Sequence, residues 1–136
     1  MIIDATMAVV RVGALVQVAQ RAQDLEASVA FYRNVLGGRF IAKFDPPGLA
    51  FVELAGFRLL LEKGAQPATL YFRVPDIQAA YAAAKAAGVP LEGEPHVIFR
   101  DADGTFGPAG SEEWMAFLRD PAENLVGLVE TRLPAS

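Results

Sequence analysis

The chain has 136 residues, 53% hydrophobic and 21% charged, a balance that suits a single well-packed domain spanning 1–136 and excludes a disordered chain. Its formal net charge of −4 argues against nucleic acid as a partner, since phosphate binding needs clustered Lys and Arg, and makes a cationic small molecule the electrostatically easier guest. Cysteine is absent, which removes disulfides, thiolate metal sites and a Cys nucleophile.

The opening residues, MIIDATMAVVRVG, carry no basic n-region and only a short apolar run, so they do not make a secretory signal and read as an extension before the first strand. Arg, Asp, Gly and Pro interrupt every longer apolar stretch, so no membrane contact is expected and a cytoplasmic location is the default. Leu15–Ala22 alternates as a short strand, with Val16 and Val18 on one face and Gln17, Ala19 and Arg21 on the other. Asp24 then caps a helix whose stripe Leu25, Val29, Tyr32 and Leu36 ends at Gly37 and Gly38. A strand over Arg39–Phe44, the turn DPPG at 45–48, and the hairpin LAFVEL and FRLLLE around Ala55 and Gly56 complete the first unit. That register sets Glu53 opposite Arg58, as a cross-strand surface pair, and Leu49 opposite Glu62.

After the linker Lys63–Ala68 the order repeats. Thr69–Val74 reads as a strand, Asp76 caps a helix with the stripe Ile77, Tyr81 and Ala84 closed by Gly88, and PLEGEPHVIFR reads as a strand broken at Pro95. The loop DADGTFGPAGSEE and a final hairpin, WMAFLR and LVGLVE around DPAEN, follow. Adding 52 to Gln17, Asp24, Leu25, Ala27 and Ala30 gives Thr69, Asp76, Ile77, Ala79 and Ala82, so cap and stripe recur. The expectation is an α+β fold of two βαβββ modules, 14–63 and 68–131, in pseudo-twofold arrangement, forming a curved mixed sheet around a central cavity.

The stretches DLEASVAFYRNVLG, LLLE, LYFRVPDIQAAYAAAKAAGV, GEPHVIF and WMAFLRDPAENLVGL together make the chain similar to the vicinal oxygen chelate superfamily, the fold of glyoxalases, bleomycin-resistance proteins and extradiol dioxygenases. The likeness is specific for fold and weak for reaction, because that superfamily spans metal-dependent isomerases, epimerases, dioxygenases and thiol transferases as well as metal-free, drug-sequestering dimers. It implies metal ligands at Gln17, Glu62, Thr69 and Gly127, of which only Glu62 keeps a residue type the family uses. With one His in the chain and no Cys, no transition-metal site follows from these positions, and no cofactor is implied. The family's DPxGN turn has Glu123 where Gly is usual; a left-handed Glu would cost about 1 kcal/mol or more, so a changed turn is expected.

Glu62 reads either as a pocket carboxylate that binds a cation or serves as a base, or as a relic paired with Arg21, Arg58 or Arg73. His96 is the only imidazole, placed on the strand after the second helix either toward the pocket or at the surface. Met115 and Phe117 face the pocket if Phe117 pairs with Gly127, while Trp114 and Phe106 lie beside them; Tyr71 and Arg73 share the side of Thr69 and supply polar anchors. DADG at 101–104 lacks the remaining ligands of a calcium loop and reads as a turn. No phosphate loop or Ser, His, Asp set is visible. Two functions are thus expected: a homodimeric module that binds a small organic molecule without a metal, through Gln17, Thr69, Tyr71, Arg73, Met115 and Phe117, or a lyase, isomerase or epimerase using Glu62 or His96 for proton transfer, with or without a divalent metal.

Overall fold

A computed structural model describes residues 14–135; the expected extension over residues 1–13 lies outside them. The elements run β1 (Gln17–Arg21), α1 (Leu25–Asn34), β2 (Arg39–Phe44), β3 (Leu49–Leu54), β4 (Phe57–Glu62), β5 (Leu70–Arg73), α2 (Ile77–Ala86), β6 (Leu91–Asp101), β7 (Ser111–Arg119) and β8 (Leu125–Arg132). They form two four-stranded mixed sheets of the same topology, β1-β4-β3-β2 and β5-β8-β7-β6, with the first strand of each parallel to the last. These are two βαβββ modules.

Both helices start for the same reason. The Asp24 carboxylate accepts the Ala27 N–H at 3.0 Å and Asp76 accepts that of Ala79 at 3.1 Å, each cap worth about 1 kcal/mol. In the second module Glu130 also accepts the Ile77 N–H, at 2.8 Å; this bond, joined by Arg132, holds the Glu130 carboxyl below its ordinary value. Gly88 takes the positive φ that ends α2, where the Val89 N–H bonds back to Ala84 and the Gly88 N–H to Lys85.

Alternation along the strands gives each sheet a helix-bearing side and an open side. On the helix-bearing side of the first sheet lie Leu59, Leu61, Ala50, Val52 and Leu54 with Phe31 and Tyr32 of α1, all buried; Leu118, Val126, Leu128 and Ile77 do the same in the second. These residues make one hydrophobic cluster across both modules. The modules therefore meet by their helix-bearing sides, with Phe57 stacked on Phe72 at 6.3 Å between ring centroids.

A buried polar knot closes the junction. Asp120, 2% exposed, accepts from Tyr32 Oη of the other module at 2.9 Å, from Asn124 Nδ2, and from the backbone N–H groups of Ala122 and Asn124. Asn124 Nδ2 also donates to the Arg21 carbonyl and Arg21 Nη2 to that of Ala122. Gln20, fully buried, pins the linker by exchanging two hydrogen bonds with the Ala68 backbone.

Three expectations change. β6 is not broken at Pro95 but runs through it, with a register shift between Glu92 and His96; an edge strand tolerates a residue without N–H at a bulge. The 120–124 turn keeps its left-handed residue, with Glu123 at φ 66°, because Asp120 takes the N–H groups around it and Arg119 Nη1 donates to the Glu123 carbonyl. Glu53 and Arg58 are register partners as expected, yet Glu53 bonds Arg39 instead.

Candidate functional site

The open side of the first sheet carries Gln17 on β1, Arg58 and Glu62 on β4, and Phe51 on β3, since Gln17 pairs with Arg58, Arg21 with Glu62, and Phe51 with Leu60. Arg58 Nε donates to Gln17 Oε1 at 2.7 Å, and its guanidinium carbon sits 5.7 Å from the Phe51 ring centroid. Phe44, 52% exposed, meets Phe51 edge to face at 6.1 Å. Glu62 is half-buried, and among the described residues no cation pairs with it, so the expected partners Arg21, Arg58 and Arg73 are all turned elsewhere.

The open side of the second sheet carries Tyr71 and Arg73 on β5, Gly127 on β8, Met115 and Phe117 on β7, and His96 on β6, with Phe117 opposite Gly127 and Met115 opposite His96. Gly127 is there because of Tyr71: a Cβ at that position would lie 2.5 Å from Tyr71 Cδ1 and 3.3 Å from Phe117 Cε1. The Tyr71 ring, 56% exposed, thus lies over the glycine and meets Phe117 edge to face at 6.0 Å. At the far end Arg73 Nη1 donates to Thr131 Oγ1 at 2.8 Å, and the Thr131 hydroxyl in turn faces the Glu113 carboxylate at 3.0 Å. His96 is exposed, its Nδ1 3.0 Å from the Glu94 carbonyl. Thr69 stands just before β5, exposed.

The candidates therefore form two groups, Gln17 with Glu62 on one sheet and Tyr71, Arg73, His96, Met115 and Phe117 on the other. Among the described residues no side-chain hydrogen bond, ion pair or ring contact joins the two groups. A hollow of about 670 Å³ lies instead on the helix-bearing side, bordered by Leu36, Leu54, Phe72, Ala83 and Leu118, with Arg73 alone of the candidates at its edge. A smaller one of about 340 Å³ lies beside Arg73, Glu113, Thr131 and the exposed Phe106. Its wall is the 102–110 loop, folded around Asp101: burial raises that carboxyl, but the N–H groups of Phe106, Thr105, Gly107 and Gly104 outweigh burial and hold it below its ordinary value.

The residues do not fit the metal that the resemblance implies. Gln17 Oε1 is engaged by Arg58, Thr69 offers a hydroxyl only, and the space over Gly127 holds an aromatic ring. Among the described residues no group of three or more His, Cys, Asp or Glu side chains is arranged to hold a metal ion. Arg58 and Phe51 stand beside the candidate Gln17 without a local signal in the sequence, because the parallel pairing that brings β1 beside β4 joins positions 41 apart. No helix among the described residues is long and apolar enough to cross a membrane.

The family model described as the glyoxalase/bleomycin resistance protein/dioxygenase superfamily matches residues 14–128. Among solved structures, lactoylglutathione lyase from Agrobacterium tumefaciens is similar with a TM-score of 0.66 and 25% identity, over 86% of this chain and 92% of its own. TnmS3, an antibiotic binding protein from Streptomyces sp. CB03234, aligns at a TM-score of 0.68 and 20% identity, over 89% and 98%. A glyoxalase/bleomycin resistance protein/dioxygenase from Alicyclobacillus acidocaldarius aligns at 0.64 and 21%, over 86% and 90%. No curated protein matches the chain.

Proposed function

The chain belongs to the glyoxalase/bleomycin resistance protein/dioxygenase superfamily, and within it we propose that this protein binds a small planar organic molecule without a transition metal. The observation that carries this reading is the Tyr71 ring over Gly127, packed edge to face on Phe117, at a position where the resemblance implies a metal ligand. An aromatic surface there suits a flat guest that stacks and is shielded from water. Because the modules of one chain join by their helix-bearing sides, each open side keeps exposed aromatic surface, Phe44 on one and Tyr71 on the other. We place the cavity in a cytoplasmic homodimer, the first sheet of one copy facing the second sheet of its partner.

A second reading rests on Glu62. A half-buried carboxylate without an ion-pair partner can act as a base, which keeps a lyase, isomerase or epimerase reaction by proton transfer in view, and the Agrobacterium neighbour is named a lyase. His96 serves this reading less well, being exposed on the edge strand.

Metal analysis of the purified protein, joined to a thermal-shift screen of planar aromatic compounds, separates the two. Binding at a hundredfold excess over Kd stabilises by about 2.7 kcal/mol, an easily read shift in Tm. Hits whose shift vanishes in Tyr71→Ala and Phe117→Ala but persists in Glu62→Gln support the binding module. One equivalent of nickel, zinc or iron per subunit overturns it.

A further inference from the structure

Arg58, exposed on the open side of β4, has no ion-pair partner among the described residues. Its register partner on β3, Glu53, is bound to Arg39 one strand further out. Its partner on β1, Gln17, gives it a neutral acceptor at Nε, and Phe51 gives it an aromatic face. Among the described residues no carboxylate pairs with Arg58, and Nε makes the only hydrogen bond of its side chain, so both Nη groups are free. A guanidinium fixed through Nε and stacked on a ring loses little freedom when its fork closes on two oxygens.

We propose that Arg58 is an oxyanion-binding residue, so that the fixed positive charge of this ligand site is a guanidinium rather than a metal ion. The guest is then an aromatic molecule bearing a carboxylate or a similar oxyanion, its ring on Phe51 or the Tyr71 and Phe117 pair. This deepens the metal-free binding reading above and rests on it. Gln17, at a position the resemblance assigns to a metal ligand, becomes the residue that orients the cation.

The chain's net charge of −4 pulls the other way, toward a cationic guest. Distance decides between them. Glu53, directly opposite Arg58, is already paired with Arg39, and Glu62, four residues along the same strand and roughly 13 Å away at 3.3 Å per residue, lies beyond the Debye length of about 8 Å at physiological salt. A bidentate contact at Arg58 is made within hydrogen-bond range, where screening by salt is weakest.

Three naphthalenes that differ only in the charged group test this: naphthoate, naphthylmethanol and naphthylmethylammonium, titrated against the whole protein by calorimetry. Naphthoate is expected to bind at least tenfold tighter than the alcohol. Arg58→Met should erase that preference while the alcohol still binds, which also shows that the variant is folded; Arg58→Lys should restore part of it. Gln17→Leu should weaken the preference, and Arg33→Met, in the last turn of α1, should leave it intact. Equal binding of acid and alcohol, tightest binding of the ammonium, or a preference lost in Arg33→Met rather than Arg58→Met overturns the proposal. If none of the three binds, the aromatic-pocket reading fails by itself, and acetate followed at the arginine Nε–H resonances by NMR still decides this one. A saturable shift confined to Arg58 upholds an oxyanion site, and no such shift ends it.

Discussion

The two modules share an order of elements, a strand topology and a helix cap, yet their last hairpins do opposite things. In the first, β3 turns into β4 through Ala55 and Gly56, both at positive φ, a tight two-residue turn whose residues donate no side-chain bonds to the rest of the molecule. In the second, the equivalent turn between β7 and β8 is three residues longer and buries Asp120, Ala122 and Asn124 at 1–3% exposure. Its carboxylate reaches across to Tyr32 of the first module. A repeated unit can thus keep its local rules while one copy alone acquires the contacts that join the two.

Asp120→Ala should break that asymmetry hardest. It leaves Tyr32 Oη and two backbone N–H groups without their acceptor and Asn124 Nδ2 with the Arg21 carbonyl alone, and at about 1–3 kcal/mol for each buried group left unpaired the loss should reach roughly 3 kcal/mol or more. Hydrogen exchange should show the damage in α1 of the other module as well as at the turn. Gly56→Ala, the matching lesion in the first hairpin, forces a Cβ into the left-handed region for about 1–2 kcal/mol, with open space around it and no bond to transmit the strain. If the two variants lose equal stability, or if α1 stays protected in Asp120→Ala, the hairpins are not different in kind.

Tyr32→Phe sharpens the same comparison with a smaller change. One hydrogen bond is lost, about 1 to 2 kcal/mol at neutral pH, since Asp120 keeps its other three donors. Burial, then the charge of Asp120 and the bond to it, push the Tyr32 phenol far above its ordinary 10.0. A raised value means that the folded chain holds this proton more tightly than the unfolded one. The contribution is therefore complete below pH 10 and is lost as pH climbs above it. Denaturant melts from pH 8 to 11 should show wild type losing stability faster than Tyr32→Phe, and parallel curves would mean that the phenol does not report the junction.

Most of the fold could be read from residues close together in the chain. Asp24 with Leu25 and Tyr32, and Asp76 with Ile77 and Ala84, announce two capped amphipathic helices, and Ala55 with Gly56 sets a register in which Leu49 faces Glu62, as found. Partners that depend on pairing between distant strands were not legible. Arg58 looked like the partner of Glu53 because the hairpin is local, whereas Gln17, 41 residues earlier, and Arg39, 14 residues before Glu53, hold the two side chains apart. Of the candidate site, alternation put Tyr71, Phe117 and Met115 on one side of a sheet, as the pairing has them, but nothing in the pattern told that the first module's open side looks elsewhere.

The smallest expected effect lies at Glu123, where the family's turn usually has glycine. Its φ of 66° is left-handed, a conformation costing a residue with a Cβ roughly 1–2 kcal/mol. Glu123→Gly removes that cost but frees the unfolded chain, which takes back about 0.4–1 kcal/mol. The backbone bonds at this position, from its N–H to the Asp120 carbonyl and from Arg119 Nη1 to its own carbonyl, do not involve the side chain and survive the change. The difference predicts a stabilisation of about 0.5 kcal/mol, read as a rise in denaturation midpoint with an unchanged m-value. Ala55→Gly, at φ 50° in the first hairpin, should gain by the same reasoning, so equal small gains at the two turns would show that their backbone strain is alike and that only the buried Asp120 sets them apart. A loss at Glu123→Gly would instead mean that its carboxylate makes a stabilising contact of its own in solution.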